Sequence, residues 1–155
     1  MKTVLSIQSQ VAGARVGNSV AAFAMERLGV RVLQLPTVLL GRRPDHGPPG
    51  GGPIPAATLS AMIEGLAADG ILAEVDAVLS GYLGAPDHVA VVLDAVERVK
   101  AANAKAVFVC DPVLGDDGKL FVRDEIADAV LNGLWRHSDW LTPNTFELGL
   151  LTGRT

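Results

Sequence analysis

Two spacings of apolar residues run through this chain. Short apolar runs at residues 3–7, 30–35, 76–80, 107–111 and 139–141 have the length of buried strands. Between them, apolar residues recur at helical intervals: Val20, Ala21, Ala24, Met25 and Leu28; Leu59, Met62, Ile63 and Leu66; Val89, Val92, Leu93, Val96 and Val99; Ile126, Val130, Leu131 and Leu134. The punctuation agrees. Asn18 and Asp124 are expected as N-caps, Pro86 suits a first helical position, and Gly29 and Gly70 stop two of the helices. Strands alternating with helices predict an α/β fold around a parallel sheet with right-handed crossovers.

One segment breaks the pattern. Residues 41–55 hold so much glycine and proline that neither a helix interior nor a central strand fits, which predicts a long loop or flap inserted in a single domain spanning residues 1–155. With 49% hydrophobic and 19% charged residues the chain can bury a core, and a net charge of −4 offers no footprint for nucleic acid or an anionic membrane. The first apolar run is too short for a signal peptide or a span. Cys110, the single cysteine, falls inside an apolar strand and reads as a buried small hydrophobe, consistent with a reducing cytoplasm. His46, His88 and His137 have no paired spacing for zinc.

The chemistry gathers where strands end. After residues 107–110 come Asp111, Asp116 and Asp117, with Pro112 holding Asp111 extended and Gly115 and Gly118 turning the backbone. Carboxylates gathered this way repel one another unless a cation or shared proton relieves them, and a divalent metal escorting a phosphate is a common reason to build such a site. A polar turn capping the next element explains the same residues with less. Ser9, Thr37, Tyr82, Asp111 and Thr142 each fall at or just past the carboxyl end of a predicted strand, the rim on which open α/β sheets bind ligands. Asn144 and Glu147 form a capping box at the start of a last helix, which is expected to stop at Gly153, Arg154 and Thr155; that helix start also favours anions. The first turn lacks both the Gly-x-Gly-x-x-Gly fingerprint and a P-loop.

Several stretches together resemble pyridoxal kinase, of the ribokinase-like superfamily. They are Ile7-Gln8-Ser9 with Gly17-Asn18-Ser19, residues 25–29, Thr37-Val38, residues 76–84 ending Ser-Gly-Tyr-Leu-Gly, residues 99–103, Cys110-Asp111-Pro112-Val113-Leu114-Gly115-Asp116, and Thr142-Pro143-Asn144-x-x-Glu147. The resemblance implies a three-layer ribokinase-like fold and ATP-dependent phosphorylation of the 5′-hydroxyl of pyridoxal or a sister vitamer in vitamin B6 salvage, by a cytoplasmic homodimer. Ser9 would bond the pyridine ring, and Thr37 and Tyr82 would line the substrate pocket. Asp111, Asp116, Asn144 and Glu147 would lie on the nucleotide and phosphate side, with Asp111, Thr142 and Glu147 arranging Mg²⁺ and, with ATP, a monovalent cation such as K⁺. Two departures stand out: Gln10 where the family often has His, and Arg42-Arg43 with a Gly/Pro run where it carries Asn-His and an aromatic. The family's Gly-x-Gly-Asp turn, which supplies the base, does not occur in these residues, so the chain is expected to be the amino-terminal part of such an enzyme, truncated before the ATP-binding part. The alternatives are a non-catalytic pyridine-binding or dimerisation module and a hydroxymethylpyrimidine-type kinase of the same superfamily.

Overall fold

A computed structural model describes residues 1–154, Asp45 for its backbone only. The chain runs β1 (Thr3–Val11), α1 (Asn18–Arg27), β2 (Arg31–Leu40), β3 (Gly51–Pro53), α2 (Ala56–Ala68), β4 (Ala77–Ser80), α3 (His88–Ala102), β5 (Val107–Cys110), β6 (Gly115–Asp116), β7 (Lys119–Leu120), α4 (Asp124–Asn132), β8 (Trp140–Leu141) and α5 (Thr145–Thr152). A 6-stranded sheet has the order β3-β2-β1-β4-β5-β8, parallel except for β3. The α/β expectation holds.

Strand order explains where a ligand can sit. The chain steps from β1 to β2 on one side, then crosses back over β1 to β4 and continues outward through β5 and β8. Right-handed crossovers therefore place α1 on one face of the sheet and α2, α3 and α4 on the other. Between β1 and β4 the order reverses, which parts the loops at the carboxyl ends of those strands. The larger core forms under α2, α3 and α4: Leu5, Ile7, Val78 and Phe108 from the sheet meet Leu59, Ile63, Val92, Val99 and Ile126. Phe108 is fully buried, and truncating it to alanine would cost about 3–5 kcal/mol.

The structure corrects several local expectations. β1 extends through Val11 although its apolar run ends at Ile7, because Ser6, Gln8 and Ser9 are buried in it and the first two are held by side-chain hydrogen bonds. Gly17, not Asn18, is the N-cap of α1; the Asn18 side chain turns inward instead. The insert at 41–55 is not all loop: Pro44–His46 makes a 3₁₀ turn and Gly51–Pro53 pairs antiparallel with β2 as an edge strand, a place that tolerates glycine and proline. α3 starts at His88 rather than at Pro86. Asp117-Gly118 forms the tip of a hairpin, with φ of 49° and 77°, the positive values that a two-residue turn needs. Gly153 ends α5 in the left-handed conformation as expected, while Thr155 lies outside the described residues.

Candidate active site

A cleft of about 630 Å³ opens at the β1/β4 reversal. Gln8 and Ser9 from β1, Tyr82 past β4 and Asp111 past β5 all line it, together with Gly17, Val113, Phe121, Arg15 and Arg43. Successive strand residues normally face opposite sides. Here the register of β1 against β2 slips between Gln8 and Gln10, and this irregularity accompanies two neighbouring side chains at one cleft.

Ser9 is buried in the cleft wall against Gly17. Gly17 has φ of +56°, and a Cβ there would collide with the Ser9 hydroxyl, so glycine serves both the turn and the close approach. Tyr82 is half-buried, and burial raises its phenol above the usual range against a small opposing pull from Arg123. Thr37 is fully buried, and its hydroxyl donates to the Tyr82 carbonyl at 2.6 Å. Thr37 thus lies behind the cleft rather than on its lining, which corrects the expected pocket contact. β2 continues to Leu40, carrying Thr37 into the sheet interior.

Asp111 is the charged group at the far end. Its amide donates to Ser80 O at 2.9 Å, extending the β4–β5 ladder by one bond. Burial, and then the charge of Glu147, raise its pKa to about 6, against the smaller lowering pull of the nearby Thr142 hydroxyl and Val113 amide. Val113 has φ of 33°, a strained value for a β-branched residue and one that accompanies the tight fold of the loop onto Asp111.

Glu147 is 4% exposed and its carboxylate is fully engaged: Leu114 N donates at 2.8 Å, Gly115 N at 3.4 Å and Asn144 N at 2.9 Å. Asn144 caps α5 by accepting from Glu147 N at 2.9 Å and donates to Gly115 O at 2.7 Å, so the expected capping box is present and also ties α5 to the loop after Asp111. Asp116 is exposed on the β6–β7 hairpin, accepting from Asp117 N at 2.9 Å, and does not line the cleft.

Asp111 offers an oxygen of the kind a divalent cation takes. Its carboxylate is half-buried beside the charge of Glu147, and both disfavour its ionised form. Glu147 contributes charge to that position while its oxygens serve backbone amides. Among the described residues no three His, Cys, Asp or Glu side chains are grouped to hold a metal alone. Cys110 is fully buried, and burial pushes its thiol up to about 11, so it is packing rather than a nucleophile. No helix among the described residues is long and apolar enough to cross a membrane.

Sequence reading missed Gln8, which carried a motif without a role. The signal was there: a run of polar residues continuing a buried strand demands hydrogen-bond partners.

The chain has counterparts in known proteins. The phosphomethylpyrimidine kinase family model matches residues 24–155. The pyridoxal kinase PdxY of Corynebacterium diphtheriae is 42% identical over 151 residues, covering 97% of this chain and 53% of that protein. That of Leifsonia xyli is 43% identical, covering 98% and 54%. The pyridoxal kinase of Leishmania donovani in complex with ADP and ginkgotoxin superposes with a TM-score of 0.92 at 36% identity, covering 99% of this chain and 53% of that one. The chain spans about half the length of the curated relatives it matches. Matched from residue 24 onward and built on the same mostly parallel sheet, the chain belongs to the phosphomethylpyrimidine kinase family and is similar in sequence and fold to the pyridoxal kinases.

Proposed function

We propose that this chain is the substrate-side part of a pyridoxal kinase, which transfers the terminal phosphoryl group of ATP to the 5′-hydroxyl of pyridoxal or a sister B6 vitamer. The observation that carries this reading is the meeting of Gln8, Ser9, Tyr82 and Asp111 at one cleft on the β1/β4 reversal. Solved pyridoxal kinases of similar fold hold ADP with pyridoxamine or pyridoxine.

Phosphoryl transfer rests on positioning and charge neutralisation more than on a strong nucleophile. Ser9, pressed against Gly17, offers its hydroxyl to the ring nitrogen. Tyr82 supplies an aromatic wall, with its backbone pinned by Thr37 from behind. Asp111, with the Thr142 hydroxyl on it, would hold Mg²⁺, which neutralises the phosphate oxygens when bound. Asn144 and Glu147 tie α5 to the 114–115 backbone after Asp111, and Asp116, on the adjoining hairpin, would serve the nucleotide side, where a monovalent cation such as K⁺ would add charge neutralisation. Arg43 and Pro44 bring the 41–55 segment to the cleft, within a single domain that would act in B6 salvage as part of a cytoplasmic homodimer.

The full-length protein incubated with pyridoxal, ATP and Mg²⁺ should yield pyridoxal 5′-phosphate. A folded, full-length preparation without turnover would overturn the reading. A second reading, a hydroxymethylpyrimidine-type kinase, draws support from the match to the phosphomethylpyrimidine kinase family, and competition between the two alcohols separates the readings.

A further inference from the structure

The β6–β7 hairpin presents apolar surface to the cleft. Leu120 is 40% exposed and Phe121, directly after it, 60%, and both line the cleft. A lone exposed apolar residue needs no explanation, but two adjacent ones facing a cleft that already holds Val11, Val16 and Leu40 make a continuous apolar wall.

The backbone beneath that wall is anchored. Phe121 N donates to Leu114 O at 2.8 Å, Leu120 pairs with Gly115 across the hairpin, and Val122 is buried in the core. Leu114 and Gly115 are in turn the residues whose amides Glu147 accepts. Phe121 therefore belongs to the same tied unit as the loop leaving Asp111. Its ring is exposed although its backbone is held.

The other aromatic rings are engaged elsewhere. Among the phenylalanines, Phe108 fills the core, Phe146 lies against Gly115, and Phe23 lines a separate, shallower hollow beside α1. Residues 41–55, which reach the cleft through Arg43 and Pro44, contain no Phe, Tyr or Trp. Tyr82 and Phe121 are thus the aromatic side chains that line the cleft. The hairpin exit approaches Tyr82, since the charge of Arg123, two residues past Phe121, reaches the Tyr82 phenol.

We propose that Phe121 is a specificity-determining residue that packs its ring on the face of the acceptor's ring, with Tyr82 as the second aromatic wall. This inference rests on the B6-vitamer reading. A flat heteroaromatic alcohol offers a face to each wall, whereas a sugar-like alcohol offers none, so the pair selects planar aromatic acceptors. The contact is made to the ring and not to the phosphoryl group in transit. It is therefore equal in the ground and transition states and sets affinity more than turnover.

The test measures, on the full-length protein, dissociation constants for pyridoxal and for ATP with Mg²⁺ by calorimetry, together with kcat. Phe121→Ala should weaken pyridoxal by roughly threefold to tenfold, while Phe121→Tyr, which keeps the ring, should stay within about twofold of wild type. Phe121→Leu should lie nearer the alanine variant, because it restores apolar bulk without a flat face. Nucleotide affinity and kcat should hold at wild-type levels in all three. Should Phe121→Ala fail to fold, the leucine and tyrosine variants carry the comparison. Equal pyridoxal affinity in all variants, a loss for ATP in place of pyridoxal, or a fall in kcat alone would overturn the inference while leaving the kinase reading intact. A wild-type protein that binds no pyridoxal would overturn both, a result distinct from the first.

Discussion

Glu147 accepts the backbone N–H of Leu114 at 2.8 Å, across 33 positions of sequence, while its other oxygen accepts the N–H of Asn144 at 2.9 Å. One buried carboxylate thus locks the start of α5 to the loop that leaves Asp111. Glutamine in its place would set an amide N–H against one of these donors. We expect Glu147→Gln to destabilise the fold by about 2–3 kcal/mol in urea unfolding. An unchanged midpoint would show that the clamp contributes nothing.

Asp111 should make stability depend on pH. Its pKa rises from 3.8 to about 6 on folding, so between those values the folded chain holds a proton that the unfolded chain releases. That contribution is complete below the unfolded value and is lost as pH rises through the folded one. Asp111→Asn removes the penalty. We expect the variant to exceed wild type by on the order of 2–3 kcal/mol above about pH 7 without metal, and to match it below about pH 4. Parallel stability curves across that range would contradict the assignment.

Thr37 and Tyr82 should separate support from contact. Thr37→Val keeps the shape but leaves the Tyr82 carbonyl without the 2.6 Å bond, and about 1–2 kcal/mol of stability should go with it. Tyr82→Phe should melt close to wild type, because Phe keeps the ring that lines the cleft. Thermal melts of the two variants decide, and a larger loss for Tyr82→Phe would reverse these roles.

Gly17→Ala should be the most damaging small change at the cleft. The position combines φ of +56° with a collision against Ser9, and neither can relax without moving β1 or the start of α1. A loss above roughly 2 kcal/mol is expected, with weaker vitamer binding in whatever folds. A variant as stable as wild type would show that the turn is free to shift.

Much of this site was legible because its signals are local. Asn144 and Glu147 stand three positions apart, and a capping box is decided within one helical turn. Ser9, Tyr82 and Asp111 could be placed on a common rim because each follows an apolar run that must be a strand. Thr37 looked the same by that rule and went elsewhere, since β2 ran on to Leu40 and a polar residue within a strand can satisfy itself on a neighbour's carbonyl. Asn18, which precedes a helical spacing and so looked like a cap, became a buried link instead.

Periodicity, turn residues and composition determined the strands, most helices and the parallel sheet, because each depends on contacts within a few residues or on the side of the chain that must leave water. Only the tertiary structure decided that Glu147 serves the 114–115 backbone, that Thr37 stands behind Tyr82, and that Gln8 is tied to Ser6 in the cleft wall. Those outcomes depend on which donor meets which acceptor across distant segments, and a hydrogen bond's partner is chosen by position in space, not by spacing along the chain.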